Sequence, residues 1–147
     1  MMNWTTITVR DLLKNKKNEI WSVSPNATAY EALEIMAEKD VGALLVIENT
    51  ELVGIFTERD YARKTVLQGR SSKSTPVSKL MTPRVICVSP DNTVDECMAI
   101  MASHQFRHLA VLQKGHLIGI LTLRDVIKKI MAEQEFTIHQ LETYVCS

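Results

Sequence analysis

No stretch of this sequence approaches the ~18 consecutive apolar residues that a membrane-spanning helix needs, and its start, Met1-Met2-Asn3-Trp4-Thr5-Thr6, is too polar for a secretory signal. Charge of either sign is not in excess. Seventeen basic and seventeen acidic side chains cancel, which leaves no general field to hold nucleic acid or an anionic membrane. Cysteine is scarce and odd in number: Cys87, Cys97 and Cys146 have no paired spacing, which argues against a disulfide framework and for reduced thiols. His104, His108, His116 and His139 are read as having no ligand spacing such as H-x-x-x-H or C-x-x-C, and no metal site is expected. A cytoplasmic location is expected instead. At 147 residues, 46% hydrophobic and 23% charged, the chain is long enough for a real core and ordinary in composition for a globular protein.

What the sequence does contain is a duplication. Gly54-Ile55-Phe56-Thr57-Glu58-Arg59-Asp60 recurs as Gly119-Ile120-Leu121-Thr122-Leu123-Arg124-Asp125, an offset of 65. Residues 23 to 61 slide onto 88 to 126 without a gap, and 16 of the 39 positions are identical. Two copies of this length are too few and too long for a solenoid, so they read as a fused pair. Within each motif, an unbroken apolar run (Leu52 to Phe56, Leu117 to Leu121) predicts a strand buried on both faces. The T-x-x-D spacing that follows predicts a capped helix start. A glycine inside the strand marks the close approach of another backbone or of a ligand. The same residues suit a ligand equally well: a carboxylate can accept from a ribose diol, while Thr and Arg can serve phosphate oxygens. Capping and ligand binding both remain open on this evidence.

Taken in order, residues 7–13 predict a short helix, matched by Pro76 to Met81 at an offset of 68. The difference is a basic insertion, Lys14-Asn15-Lys16-Lys17-Asn18, read as a solvated loop. Residues 19–23 and 84–88 predict short strands closed by Ser-Pro, since proline forces its predecessor extended. Thr28-x-x-Glu31 and Thr93-x-x-Glu96 are two more capping boxes. They open helices whose apolar face carries Ala29, Ala32, Leu33 and Met36, or Val94, Cys97, Met98 and Met101. The apolar runs Leu44 to Ile47 and Leu109 to Leu112 are the next strands, joined to the motif strands by four-residue turns, 48–51 and 113–116. Each copy is therefore β-α-β-β-α. The expected boundaries are 7–68 for the first copy, 69–76 for a linker, 77–132 for the second copy and 133–147 for a helical extension.

These residues resemble the cystathionine beta-synthase (CBS) domain, present as the tandem pair called a Bateman module. The likeness rests on the two in-phase G-h-x-T-x-R-D motifs, the two Val-Ser-Pro helix entries and the phrase Val41-Gly42-Ala43-Leu44-Leu45-Val46. It implies an α/β fold of two pseudo-symmetric repeats packed as one module, and it implies a sensor of adenosyl ligands rather than an enzyme. The chain is similar to small stand-alone two-CBS proteins. Carried over by position, Asp60 and Asp125 match the family's ribose acceptor, Thr57 and Thr122 its hydroxyl near ribose and phosphate, with Arg59 and Arg124 beside them. Arg107 and His108 match basic residues that face the phosphates, where the first copy has Gly42 and Ala43. Ile20-Trp21 and Val85-Ile86 match the segment lining the base pocket. Leu45 and Ala110 stand where many members have proline.

The expected ligand is AMP, with ATP, NAD or S-adenosylmethionine as alternatives. The expected partners are a second copy of the chain, joined through the first helix of each copy and residues 126–145, and a separate regulated protein. A ligand-free dimerisation scaffold is the competing reading, because capping alone could retain Thr and Asp in both motifs. No set of nucleophile, base and oxyanion donors can be assembled from the sequence.

Overall fold

All four predicted capping boxes form, and a fifth, Thr8-x-x-Asp11, opens the first helix. The structure, a computed structural model, describes residues 7–14 and 20–133. The elements are α1 (Val9–Lys14), β1 (Ser22–Val23), α2 (Ala29–Lys39), β2 (Ala43–Glu48), β3 (Glu51–Thr57), α3 (Glu58–Tyr61), β4 (Cys87–Val88), α4 (Val94–His104), β5 (His108–Gln113), β6 (His116–Thr122) and α5 (Leu123–Glu133). A π-helical stretch, Ala62–Val66, continues α3, and Val77–Lys79 is a single 3₁₀ turn where a short helix was expected. The α/β class and the β-α-β-β-α order of each copy are as the duplication predicts. The basic insertion beyond Lys14 and the extension beyond Glu133 lie outside the described residues.

Two three-stranded sheets form, ordered β1-β2-β3 and β4-β5-β6, each with a parallel outer pair and an antiparallel hairpin. The outer strands are shorter than predicted. Pairing takes in only Ser22↔Leu45 with Val23↔Val46, and Cys87↔Ala110 with Val88↔Val111, before the Ser-Pro turn carries the chain to a helix. The hairpin turns are tighter than the expected four residues, because Glu48 pairs with Glu51 and Gln113 with His116. Both central residues of each turn have positive φ: Asn49 (49°) and Thr50 (68°), Lys114 (50°) and Gly115 (80°). This is the twist-matched two-residue hairpin that favours glycine at its second position. Only the second copy has it. Each hairpin also carries a bulge, between Val46 and Ile47 and between Val111 and Leu112, directly beside the motif glycine.

The chain divides into two compact units that do not coincide with the two sequence copies. One is contiguous, Ile20–Val85; in the other, described residues within Met1–Glu19 combine with those of Ile86–Ser147. In the contiguous unit the core of Val23, Ala29, Ala32, Met36, Leu44, Val46 and Phe56 is completed by Val77 and Leu80. The chain around them satisfies the start of α2: the amides of Ala29 and Tyr30 donate to the carbonyls of Thr75 and Ser72, both at 2.9 Å. These are amides that a helix leaves without internal partners. The joining segment is thus part of the contiguous unit's structure. In the composite unit Ile7, Val9, Leu12 and Leu13 complete a core with Val88, Val94, Cys97, Met101, Leu109, Val111, Leu121, Val126 and Ile130. There the Val94 amide donates to Ile7 (2.8 Å) and the Val9 amide to Asn92 (2.8 Å). In both units the strand–helix body of one copy is closed by the lead-in segment of the other.

The motif glycines are explained by that closure. Ile55 and Thr82 exchange backbone hydrogen bonds of 2.9 and 2.8 Å, which presses Met81 and Thr82 against Gly54. A Cβ on Gly54 would lie 2.7 Å from Met81 Sδ and 2.9 Å from the Thr82 carbonyl oxygen, whereas one on Gly119 would meet only the Leu13 side chain, at 3.1 Å. The close approach predicted from these glycines is therefore that of protein.

Two outcomes follow for stability. Gly54→Ala forces the backbone at Thr82 to move and should cost about 1–3 kcal/mol, with Gly119→Ala costing clearly less because a leucine tip can rotate away; paired thermal melts compare them. Thr50→Gly removes a β-branched residue from a left-handed position and should stabilise by about 1 kcal/mol, read as a higher midpoint in urea at unchanged slope.

Candidate functional site

Each motif sits where a buried strand turns into a helix. Thr57 caps α3 in extended conformation, and its hydroxyl accepts from the Asp60 amide at 3.1 Å. In return Asp60 Oδ2 accepts from the Thr57 amide and hydroxyl, both at 3.1 Å. Asp60 Oδ1 accepts from the Thr82 hydroxyl at 3.1 Å and lies 3.2 Å from Lys64 Nζ, which also donates to the Leu80 carbonyl at 3.1 Å. The aspartate is only 9% exposed. In the composite unit the Thr122 amide donates to Asp125 Oδ2 at 2.9 Å, the Asp125 amide donates to Thr122 Oγ1 at 3.1 Å, and the aspartate is half-buried. Arg59 and Arg124, one residue before each aspartate, are exposed.

The residues expected beside the motifs are there. Gly42 and Ala43 adjoin the first: the Gly42 carbonyl accepts from the Glu58 amide at 3.1 Å, and Ala43 pairs with Thr57. Arg107 and His108 adjoin the second in the same way, with the Arg107 carbonyl accepting from the Leu123 amide at 2.9 Å and His108 paired with Thr122. The first junction is lined by glycine and alanine. The second carries a guanidinium and an imidazole, with Arg107 exposed and His108 half-buried.

The expected base-lining segments contribute less uniformly. Trp21 and Ile86 extend the sheets, their carbonyls accepting from Leu45 (3.2 Å) and Ala110 (3.0 Å), and each packs on its own unit's core. One face of the Trp21 ring is taken by Lys39, whose Nζ stands 4.3 Å from the ring centre. Ile20 is half-exposed at the start of the contiguous unit. Val85 ends that unit while Ile86 begins the other stretch, so this pair is divided between the two.

Thr82 and Lys64 are the residues that sequence reasoning missed. Lys64 was within reach, since a lysine four residues after an aspartate on a helix is an expected ion pair. Thr82 was not, because its approach depends on which copy's lead-in closes the unit. Contrary to the expectation for the histidines, His104 and His108 do have H-x-x-x-H spacing, which on one helix would bring two imidazoles together. Here α4 ends at His104, Gln105 turns left-handed at φ 57°, and His108 opens β5. Among the described residues no cluster of three His, Cys, Asp or Glu could hold a metal ion. Burial, with the neighbouring Glu96 carboxylate, pushes the Cys97 thiol up to about 11, which keeps it a protonated core residue.

The family model for the CBS domain matches residues 9–66 and 77–132. A CBS-domain protein of Burkholderia ambifaria MC40-6, named for signal transduction, is 49% identical with a TM-score of 0.85 over 89% of this chain and 98% of its own. The CBS-domain structure NE2398 is 39% identical, TM-score 0.81, over 84% and 97%. The mitochondrial CBS domain-containing protein CBSX3 of Arabidopsis thaliana is 35% identical over 94% of this chain and 71% of its own.

Asp60→Ala should lower stability by about 1–3 kcal/mol, since it removes a cap and leaves the Thr57 amide, the Thr82 hydroxyl and a lysine without their acceptor. A chemical denaturation series with Asp60→Asn, which keeps one acceptor oxygen, should place that variant between wild type and Ala.

Proposed function

This chain belongs to the CBS-domain family, a family of regulatory and signal-transduction modules, and from that premise we propose that it senses an adenine nucleotide and reports it to another protein. The observation that carries this reading is the repeated junction. Thr57 with Asp60, and Thr122 with Asp125, stand at the end of a buried strand, and in the second copy a cation, Arg107, adjoins the pair. Carboxylates suit the ribose hydroxyls, the threonine hydroxyls and Arg107 suit phosphate, and Trp21 in one unit and Ile86 in the other each offer apolar surface for a base. AMP is the ligand proposed first, with ATP, NAD and S-adenosylmethionine next. The proposed state is a cytoplasmic homodimer, regulating a separate polypeptide.

A second reading, a CBS scaffold with vacant sites, is supported by one specific observation: protein donors already engage both oxygens of Asp60. Mass spectrometry of small molecules released from freshly purified protein, followed by calorimetry with the four candidates, decides between the two. Bound nucleotide supports the sensor, and uniformly empty protein that takes none of them supports the scaffold.

If Arg107 holds phosphate, Arg107→Ala should weaken AMP by about 1.5–3 kcal/mol, the scale of a charged hydrogen bond, and leave adenosine nearly unchanged. The loss should shrink with added salt. Equal losses for AMP and adenosine would make Arg107 a structural residue instead. Light scattering at micromolar concentration tests the dimer, which a monomer's mass would refute.

A further inference from the structure

A carboxylate offers about four lone-pair positions. Asp60 has four donors on them: the Thr57 amide and hydroxyl on Oδ2, the Thr82 hydroxyl and the Lys64 ammonium on Oδ1. With the residue 9% exposed, a further donor must displace one already present. Both donors on Oδ2 come from Thr57, the residue that caps α3, and its amide cannot leave without opening the start of that helix. The donors on Oδ1 are side chains tied to the segment Leu80–Thr82, one rooted in it and the other bonded to its Leu80 carbonyl.

We propose that Asp60, Lys64 and Thr82 form a ligand-sensitive latch: a ribose hydroxyl that reaches Asp60 takes Oδ1 from them and loosens Leu80–Thr82 from the edge of β3. The inference deepens the nucleotide-sensing reading and rests on it. The segment is poised for such a role. Among the described residues its backbone joins β3 through two hydrogen bonds, those between Ile55 and Thr82, and it closely precedes Val85, where the contiguous unit ends. Lys64 and Thr82 are thus positioning residues that set how readily Asp60 is captured. Ligand binding at this unit is opposed by the contact that binding breaks.

The test is amide hydrogen exchange by NMR on the full chain, with AMP as the probe. The amides of Ile55 and Thr82 report the latch, and that of Leu45, bonded to Trp21 in the same unit, is the control. Without nucleotide, Thr82→Val and Lys64→Met should speed exchange at Ile55 and Thr82 several-fold and leave Leu45 unchanged. With saturating AMP, the wild-type chain should show the same change, and both variants should bind AMP about three- to tenfold more tightly, the net scale of one hydrogen bond no longer broken. AMP binding that depends on Asp60 but leaves these amides unmoved, or slows them, overturns the latch and leaves nucleotide sensing intact. Binding that persists in Asp60→Ala overturns Asp60 as the acceptor and the latch with it. The absence of binding by all four candidate nucleotides overturns the sensing reading itself. Should a variant fail to fold, the wild-type comparison with and without AMP still decides.

Discussion

The structure depends on how two helix starts are closed. The first amides of α2 and α4 point out of the helix with no partner of their own, and in each unit the acceptor comes from the lead-in of the other sequence copy: Thr75 and Ser72 for α2, Ile7 for α4. The same crossing buries Val77 and Leu80 in one core, and Val9, Leu12 and Leu13 in the other. Hydrogen bonding and apolar burial thus select one docking together. A lead-in shifted by one residue would present carbonyls out of register and turn its apolar side chains away. The motif glycine, which leaves room for the crossing chain, is a consequence of this closure.

Placing the candidate site at the same crossing ties recognition to stability. Asp60 is at once a helix cap, the acceptor for the crossing segment and the proposed ribose acceptor of its unit. A group with three uses cannot be optimised for one. Its copy, Asp125, caps α5 by the same reciprocal pair of bonds, but beside Arg107 and His108 rather than Gly42 and Ala43. Two junctions that share a backbone plan therefore differ in electrostatics, and this follows from the divergence of two neighbouring residues rather than from any change of fold.

Most of the architecture was legible because its signals are local. T-x-x-D and T-x-x-E spell capping boxes, unbroken apolar runs spell strands covered on both faces, and the duplication checks each element against its twin. The motif residues were legible for the same reason, whereas their neighbours at 42, 43, 107 and 108 came from the family resemblance, and the structure pairs 43 and 108 with the motif threonines across each hairpin. What failed to show was set by long-range geometry. Strand lengths at β1 and β4 depend on how far a parallel partner reaches, and the two-residue turns follow from a register that the bulges fix. That Thr82 lies on Asp60 follows from which lead-in closes which unit. Nothing in the spacing of residues 60 and 82 expresses that choice, and the composition of 69–76 suggests a passive joint where there is a structural segment.

The exchange of lead-ins also orders events on the ribosome. Everything the contiguous unit needs lies between Ile20 and Val85, so it can close as soon as that stretch has emerged. The helix Val9–Lys14 emerges before that stretch yet has its partners far downstream, with Arg10 and Asp91 separated by 81 positions. Its apolar face, Val9, Leu12 and Leu13, must wait in solvent while the whole contiguous unit is made and folded. Synthesised ahead of the contiguous unit, this helix finds its place only after it, and a nascent chain halted near Val85 would display one finished unit preceded by an unpacked amphipathic helix.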